Sequence, residues 1–211
     1  MRDLLDRLSR KLERIAVQSL MKYIVIGMGI VFFLDIIFSG SFSQLLMFSK
    51  TGIMSGQIWR LISFIFVPPP SSPLFIIFAL YFYWMIGEAL EGAWGTARFN
   101  LFYIIGILGT ILSGLITGYA SNQYLNLSLF FAFAILYPDF ELLLFFILPI
   151  KVKWLAIIDA AFFAWSLIVS RWPERIALLV SLVNIALFFG PDLYNRIYNW
   201  RRRRQWRNYF R

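Results

Sequence analysis

Neither cysteine nor histidine occurs anywhere in the 211 residues. Without cysteine there is no disulfide, no thiolate nucleophile and no thiolate metal site. Without histidine the commonest general base near neutral pH and the commonest metal ligand are both missing. Charge is scarce as well: Asp, Glu, Lys and Arg make up 15% of the chain, against roughly 25% in soluble domains. With 60% of its residues hydrophobic, the chain cannot cover its apolar surface with polar groups. Lipid is the solvent this composition fits, and the length allows one membrane domain. No residue pattern calls for a metal or other cofactor. Residues 1–18 do not read as a signal peptide, because charges are interspersed throughout and no apolar run precedes a small-residue cleavage site.

What charge there is collects at the ends. Residues 1–22 form a basic segment, residues 23–190 a nearly neutral membrane domain, and residues 191–211 a basic tail. Within the first segment, Leu4, Leu5, Leu8, Leu12, Ile15, Ala16 and Leu20 recur at helical spacing. The opposite charges Asp3/Arg7 and Asp6/Arg10 stand four apart in the favourable order. An amphipathic helix over residues 4–20 is expected, either flat on an anionic membrane face or packed as a cap on neighbouring loops.

Apolar runs predict an all-α membrane protein with six transmembrane helices: 23–38, 74–90, 99–119, a fourth ending at Tyr137-Pro138, 154–169 and 176–190. Between the first two lies a long segment, 39–72. It is apolar in patches but carries Lys50, Gln57 and Arg60 and ends in Pro68-Pro69-Pro70, which cannot continue a helix. It is expected to sink partly into the membrane interface against protein. A hinge is expected at 91–98 and a turn at 171–175. The nine apolar residues Leu142–Ile150 are too few to cross as a helix and are expected to form an interfacial stretch.

With both termini in the cytoplasm, the inner side holds Arg2, Arg7, Arg10, Lys11, Arg14, Lys22, Arg98, Lys151, Lys153 and seven tail arginines. The outer side holds Lys50, Arg60, Arg171 and Arg175. That asymmetry fits the positive-inside rule. The expected location is thus a multi-pass membrane protein with cytoplasmic ends, in the inner membrane if the cell is prokaryotic. Trp94, Trp154, Trp172 and Trp200 fall near span ends, where amphipathic rings settle. Topology and anionic lipid account for the basic termini, so no nucleic-acid partner is expected.

Polar groups inside the spans are few: Asp35, Asp159, Asn184, Thr110, Ser113, Ser128, Ser166 and Ser181, with Glu88 and Glu91 near a span end. The amides and hydroxyls are expected to satisfy neighbouring helices. Asp35 and Asp159 are expected to reach water or to act as functional groups. Gly106, Thr110, Ser113, Gly114, Thr117 and Gly118 stripe the third span with small residues, a signal for close helix packing.

Three stretches together resemble the rhomboid superfamily. Gln57-Ile58-Trp59-Arg60-Leu61-Ile62-Ser63 resembles its Trp-Arg motif in a long first loop. Gly87-Glu88-Ala89-Leu90-Glu91-Gly92-Ala93-Trp94-Gly95 resembles the Glu-x-x-x-Gly signature that closes the second span. Ala132 to Pro138, then Leu142 to Trp154, is similar to the end of the fourth span and the loop after it. The resemblance covers residues 23–190 and implies a six-helix rhomboid-like bundle with a partly embedded first loop. It implies structural roles for Trp59, Arg60, Glu91 and Gly95.

Catalytic rhomboids use a serine at the start of the fourth span and a histidine in the sixth. Here those positions fall on Gln123 and on Asn184 or its neighbour Val183, and the supporting positions of the second span on Phe75 and Ala79. A glutamine amide is no nucleophile, and an asparagine takes no proton near neutral pH. The resemblance therefore implies a pseudoprotease, with Gln-x-Trp-Arg-Leu also reminiscent of derlins. Its implied partners are transmembrane segments of client proteins, in membrane protein quality control, with anionic lipid at the basic ends. Two other classes stay open. One is a small transporter lined by Asp35, Asp159 and Asn184. The other is an intramembrane protease with replacement chemistry, for which Asp35 and Asp159 are the only carboxylate pair; no lysine within a span offers a Ser–Lys dyad.

Overall fold

The computed structural model describes residues 9–38, 40–118, 120–144 and 148–188. The tail at 191–211, Trp200 and the first part of the expected N-terminal helix lie outside the described residues. Within them that helix covers only residues 9–12, followed by a turn at 13–15. Tertiary bonds override the local pattern here. Asn100 Oδ1 accepts from the Val17 N–H at 3.0 Å, and Asn100 Nδ2 donates to the Val17 carbonyl at 2.9 Å. Both groups that Val17 would spend on a helix are thereby taken.

The described chain is predominantly helical, and a helix stands at each of the six predicted apolar runs. The first is α1, Leu20–Ile37. The loop after it holds α2, Ser41–Leu46, α3, Lys50–Met54, and α4, Arg60–Ser63, which passes into a 3-10 turn at Phe64–Phe66. Then come α5, Pro73–Trp94, α6, Thr96–Thr117, and α7, Gln123–Leu136. Finally α8 spans Val152–Val169, and α9 covers 172–188. Four of them, α1, α5, α6 and α8, are long and apolar enough to cross a membrane. Helix α7, at 14 residues, measures about 21 Å, short of a hydrocarbon core of about 30 Å. It is also the most enclosed, with Leu125, Leu129, Ala132 and Phe133 nearly inaccessible.

Three boundaries differ from expectation. The hinge at 91–98 contracts to a single residue: α5 continues to Trp94, and only Gly95, at φ +83°, breaks the path before α6 begins. The turn expected at 171–175 is already helical from 172, because Pro173 in a first turn sacrifices no hydrogen bond. The interfacial stretch contains strands, so the chain is not wholly α: β1, Glu141–Leu144, pairs antiparallel with β2, Leu148–Lys151. Lys153 Nζ lies 2.7 Å and Lys151 Nζ 3.8 Å from Asp139 Oδ1 at the base of this hairpin. The hydrogen bond from Lys153 holds the Asp139 carboxyl below its ordinary range.

Close approach depends on the small residues. A Cβ built on Gly114 would stand 2.7 Å from both the Phe48 ring and Ala120 Cβ, and one on Gly109 2.6 Å from Val180. Gly106 faces Leu125 and Asn184 in the same way. The stripe on α6 is thus a packing surface for the first loop, α7 and α9. Phe48 and Phe64 meet edge to face at 6.2 Å beneath Ile53 and Leu61, so the first loop is seated against α6. Trp94, the last residue of α5, packs on Phe102 at 5.3 Å and Phe188 at 6.1 Å. Trp154 and Trp172 are exposed.

One core group stands out energetically. The Tyr103 hydroxyl is fully buried and has no hydrogen-bond partner among the described residues. Leaving a buried hydroxyl unpaired costs about 1–3 kcal/mol. Tyr103→Phe removes that cost without changing the ring, so the variant should melt at the same temperature as the parent or higher. A clear loss of stability would reveal a bound water bridging Tyr103 to its surroundings.

Candidate functional site

The rhomboid resemblance would put a catalytic nucleophile at the start of α7, residue 123. Asn122, just before the helix, is buried and donates its amide to two carbonyls of the first loop, Ile65 at 3.0 Å and Val67 at 2.8 Å. Gln123 follows, exposed, its backbone N–H bound to Ser121 Oγ at 3.2 Å. Facing this turn from α9, Ser181 Oγ donates to the Tyr124 carbonyl at 2.9 Å. Asn184 is buried beside Gly106 and Leu125, with Nδ2 3.5 Å from the Phe102 carbonyl. Gln123 and Asn184 share no hydrogen bond. On α5, Phe75 is about half exposed and Ala79 is partly buried.

Two of the hydroxyls near this point are committed to backbone. Ser128 Oγ donates to the Leu125 carbonyl at 2.6 Å and Thr110 Oγ1 to the Gly106 carbonyl at 2.8 Å. Ser113 Oγ is buried without a partner among the described residues. None of these has a base beside it. Among the described residues no group of three or more Asp or Glu could hold a metal ion.

Above this point the first loop is tied together through one guanidinium. Arg60 Nη1 donates to the carbonyls of Gln44 at 2.8 Å and Met47 at 2.7 Å, and Nε donates to Gln57 Oε1. Trp59 Nε1 reaches the Leu45 carbonyl at 3.3 Å while its ring stays exposed. Ser63 Oγ donates to the Leu46 carbonyl at 2.9 Å. Asp35, at the end of α1, accepts from the Ser43 N–H at 2.8 Å and from the Ser43 hydroxyl. Its carboxylate is spent on fixing the loop's entry, and it makes no bond with Asp159.

The opposite end of the bundle has its own anchor. Glu91 Oε1 accepts from the Ser19 N–H at 3.0 Å and from Thr96 Oγ1 at 2.8 Å, joining the entry to α1, the end of α5 and the start of α6. Asn100 adds the two bonds to Val17 and a third, from Nδ2 to the Thr96 carbonyl at 2.8 Å. A polar hollow beside Gly95 is lined by Ser9, Glu13, Gln18 and Arg98. Glu91→Ala should lower the melting temperature in detergent, since it frees the Ser19 N–H in a half-buried position; Glu91→Gln, which keeps an acceptor oxygen, should recover most of the loss. Equal melting of Glu91→Ala and the parent would remove this role.

Pattern reasoning singled out Arg60 and Glu91 but missed Asn100 and Asn122. Each of these amides bonds to backbone more than 50 residues away in sequence, a distance at which no local pattern speaks. No family profile, curated protein or solved structure matches this chain.

Proposed function

We propose that this chain is a non-catalytic, rhomboid-like membrane protein of six spans that binds transmembrane segments of client proteins or perturbs the lipid around it. The observation that carries the reading lies at the start of α7. There an exposed glutamine, Gln123, occupies the position of the expected nucleophile, and Asn122 beside it spends its amide on the loop above. Hydrolysis of a peptide bond there would need an activated nucleophile, and Gln123 supplies none. The loop seated on α6 and the anchors at Arg60 and Glu91 support a retained scaffold without the chemistry.

The proposed orientation places the start of α1, the end of α5, the hairpin and the start of α8 in the cytoplasm. Lys22, Arg98, Lys151 and Lys153 belong to that side, and anionic lipid there would be attracted to them. A photoreactive amino acid at position 123 in the native membrane tests the reading. Cross-links to membrane proteins, together with no cleavage of transmembrane substrates by purified protein, are the expected result. Cleavage blocked by a serine-directed fluorophosphonate would overturn it, as would labelling of a cysteine at position 208 from outside intact cells for the orientation.

A further inference from the structure

Of the two carboxylates placed in spans, Asp35 is accounted for by Ser43 and Asp159 is not. Asp159 is the eighth residue of α8, about 10 Å along the helix from its first residue. It falls on the partly buried stripe of that helix, with Val152, Ala156 and Phe163, and Phe163 meets Phe131 of α7 edge to face at 6.1 Å. It makes no hydrogen bond or ion pair among the described residues. The cations nearest in sequence, Lys151 and Lys153, are directed to Asp139 instead. Ser166, two turns further along the same stripe, also has an unbonded hydroxyl. Ile158 and Phe162, one turn apart beside Asp159, are exposed, and only 11% of α8 is buried.

An unpaired carboxylate at this depth costs several kcal/mol in hydrocarbon, and no bond among the described residues repays it. No lysine or arginine stands in the interior of any described helix; those within helices lie in terminal turns. The described helices of a second copy therefore offer no cation at that depth. We infer that the edge of α8 carrying Ile158 and Phe162 docks a partner transmembrane helix whose lysine or arginine pairs with Asp159. This rests on the reading that the protein binds transmembrane segments, and it names the chemistry by which one is chosen.

The test uses the full chain in phosphatidylcholine vesicles with synthetic leucine–alanine transmembrane peptides about 21 residues long. One carries a single lysine at the depth of Asp159, one a glutamate and one only apolar residues; binding is read by energy transfer between labels. The lysine peptide should bind about ten-fold more tightly than the apolar one. The isosteric D159N should erase that ratio, and D159K should transfer the preference to the glutamate peptide. Equal binding of lysine and apolar peptides by the parent would overturn the inference while leaving general segment binding intact. No binding of any peptide, with no cross-links from position 123, would remove both. Self-association lost in D159N without peptide would also overturn it, by making a second copy the occupant.

Discussion

Arg60→Ala should destabilise the protein by about 1–3 kcal/mol, read as a lower melting temperature in detergent and faster proteolysis between residues 41 and 66. The guanidinium holds the carbonyls of Gln44 and Met47 and the side chain of Gln57 at once. Those acceptors come from the end of α2, the residue after it and the approach to α4, so a single side chain closes the loop on itself. The bonds to the carbonyls lie in exposed surroundings, where water recovers part of each lost bond, and this holds the estimate below the sum of three charged hydrogen bonds. Arg60→Lys should retain only part of the stability, because an ammonium on a flexible stem is a point charge and cannot present a planar fork to three acceptors. Trp59→Phe removes one bond of 3.3 Å from an exposed ring and should cost less than either. If all three variants melt with the parent, the loop is held by Phe48 and Phe64 alone.

The helices were legible because lipid leaves a strong imprint: apolar runs of about 20 residues bounded by charge admit few other readings. The broken first loop, with its short helices α2, α3 and α4, was legible for the opposite reason, since Lys50, Gln57, Arg60 and three prolines forbid an ordinary span there. Local pattern failed where backbone groups found distant partners. Residues 13–19 have the spacing of a helix, yet Asn100 and Glu91 claim the N–H or carbonyl groups of Val17 and Ser19. The hairpin at 141–151 was hidden because a short apolar run reads alike as strand or helix. Asp35 illustrates a subtler gap: its place at a span end did not reveal that its carboxylate also holds Ser43. At the candidate site, the absence of histidine and cysteine was visible in the residues themselves. The tie from Asn122 to Ile65 and Val67 was not, because an asparagine announces no particular partner.

The same logic makes Gly87 the most sensitive position on α5. Gly87 is buried against Met21 of α1, and a Cβ built there would collide with Met21 Cβ and Cγ while reaching Phe99 Cζ at 3.6 Å. The collision involves the stem of Met21 rather than its flexible tip, so rotamer changes cannot relieve it and the helices must separate. Separation is opposed two residues away, where the Ser19 N–H is held by Glu91 Oε1, itself one turn from Gly87 on α5. Overpacking of this kind costs about 1–3 kcal/mol, and the tether argues for the upper end. Gly92→Ala is the matched control: it lies in the same helix, a Cβ there meets nothing within 4 Å, and replacing a helical glycine by alanine favours the helix by about 1 kcal/mol. Melting in detergent should therefore move in opposite directions, down for Gly87→Ala and level or up for Gly92→Ala. A parallel shift of the two variants would mean that helix propensity alone governs this segment and that α1 is free to move away from α5. In that event Glu91→Ala should also be silent, because the tether it forms would be holding nothing in place.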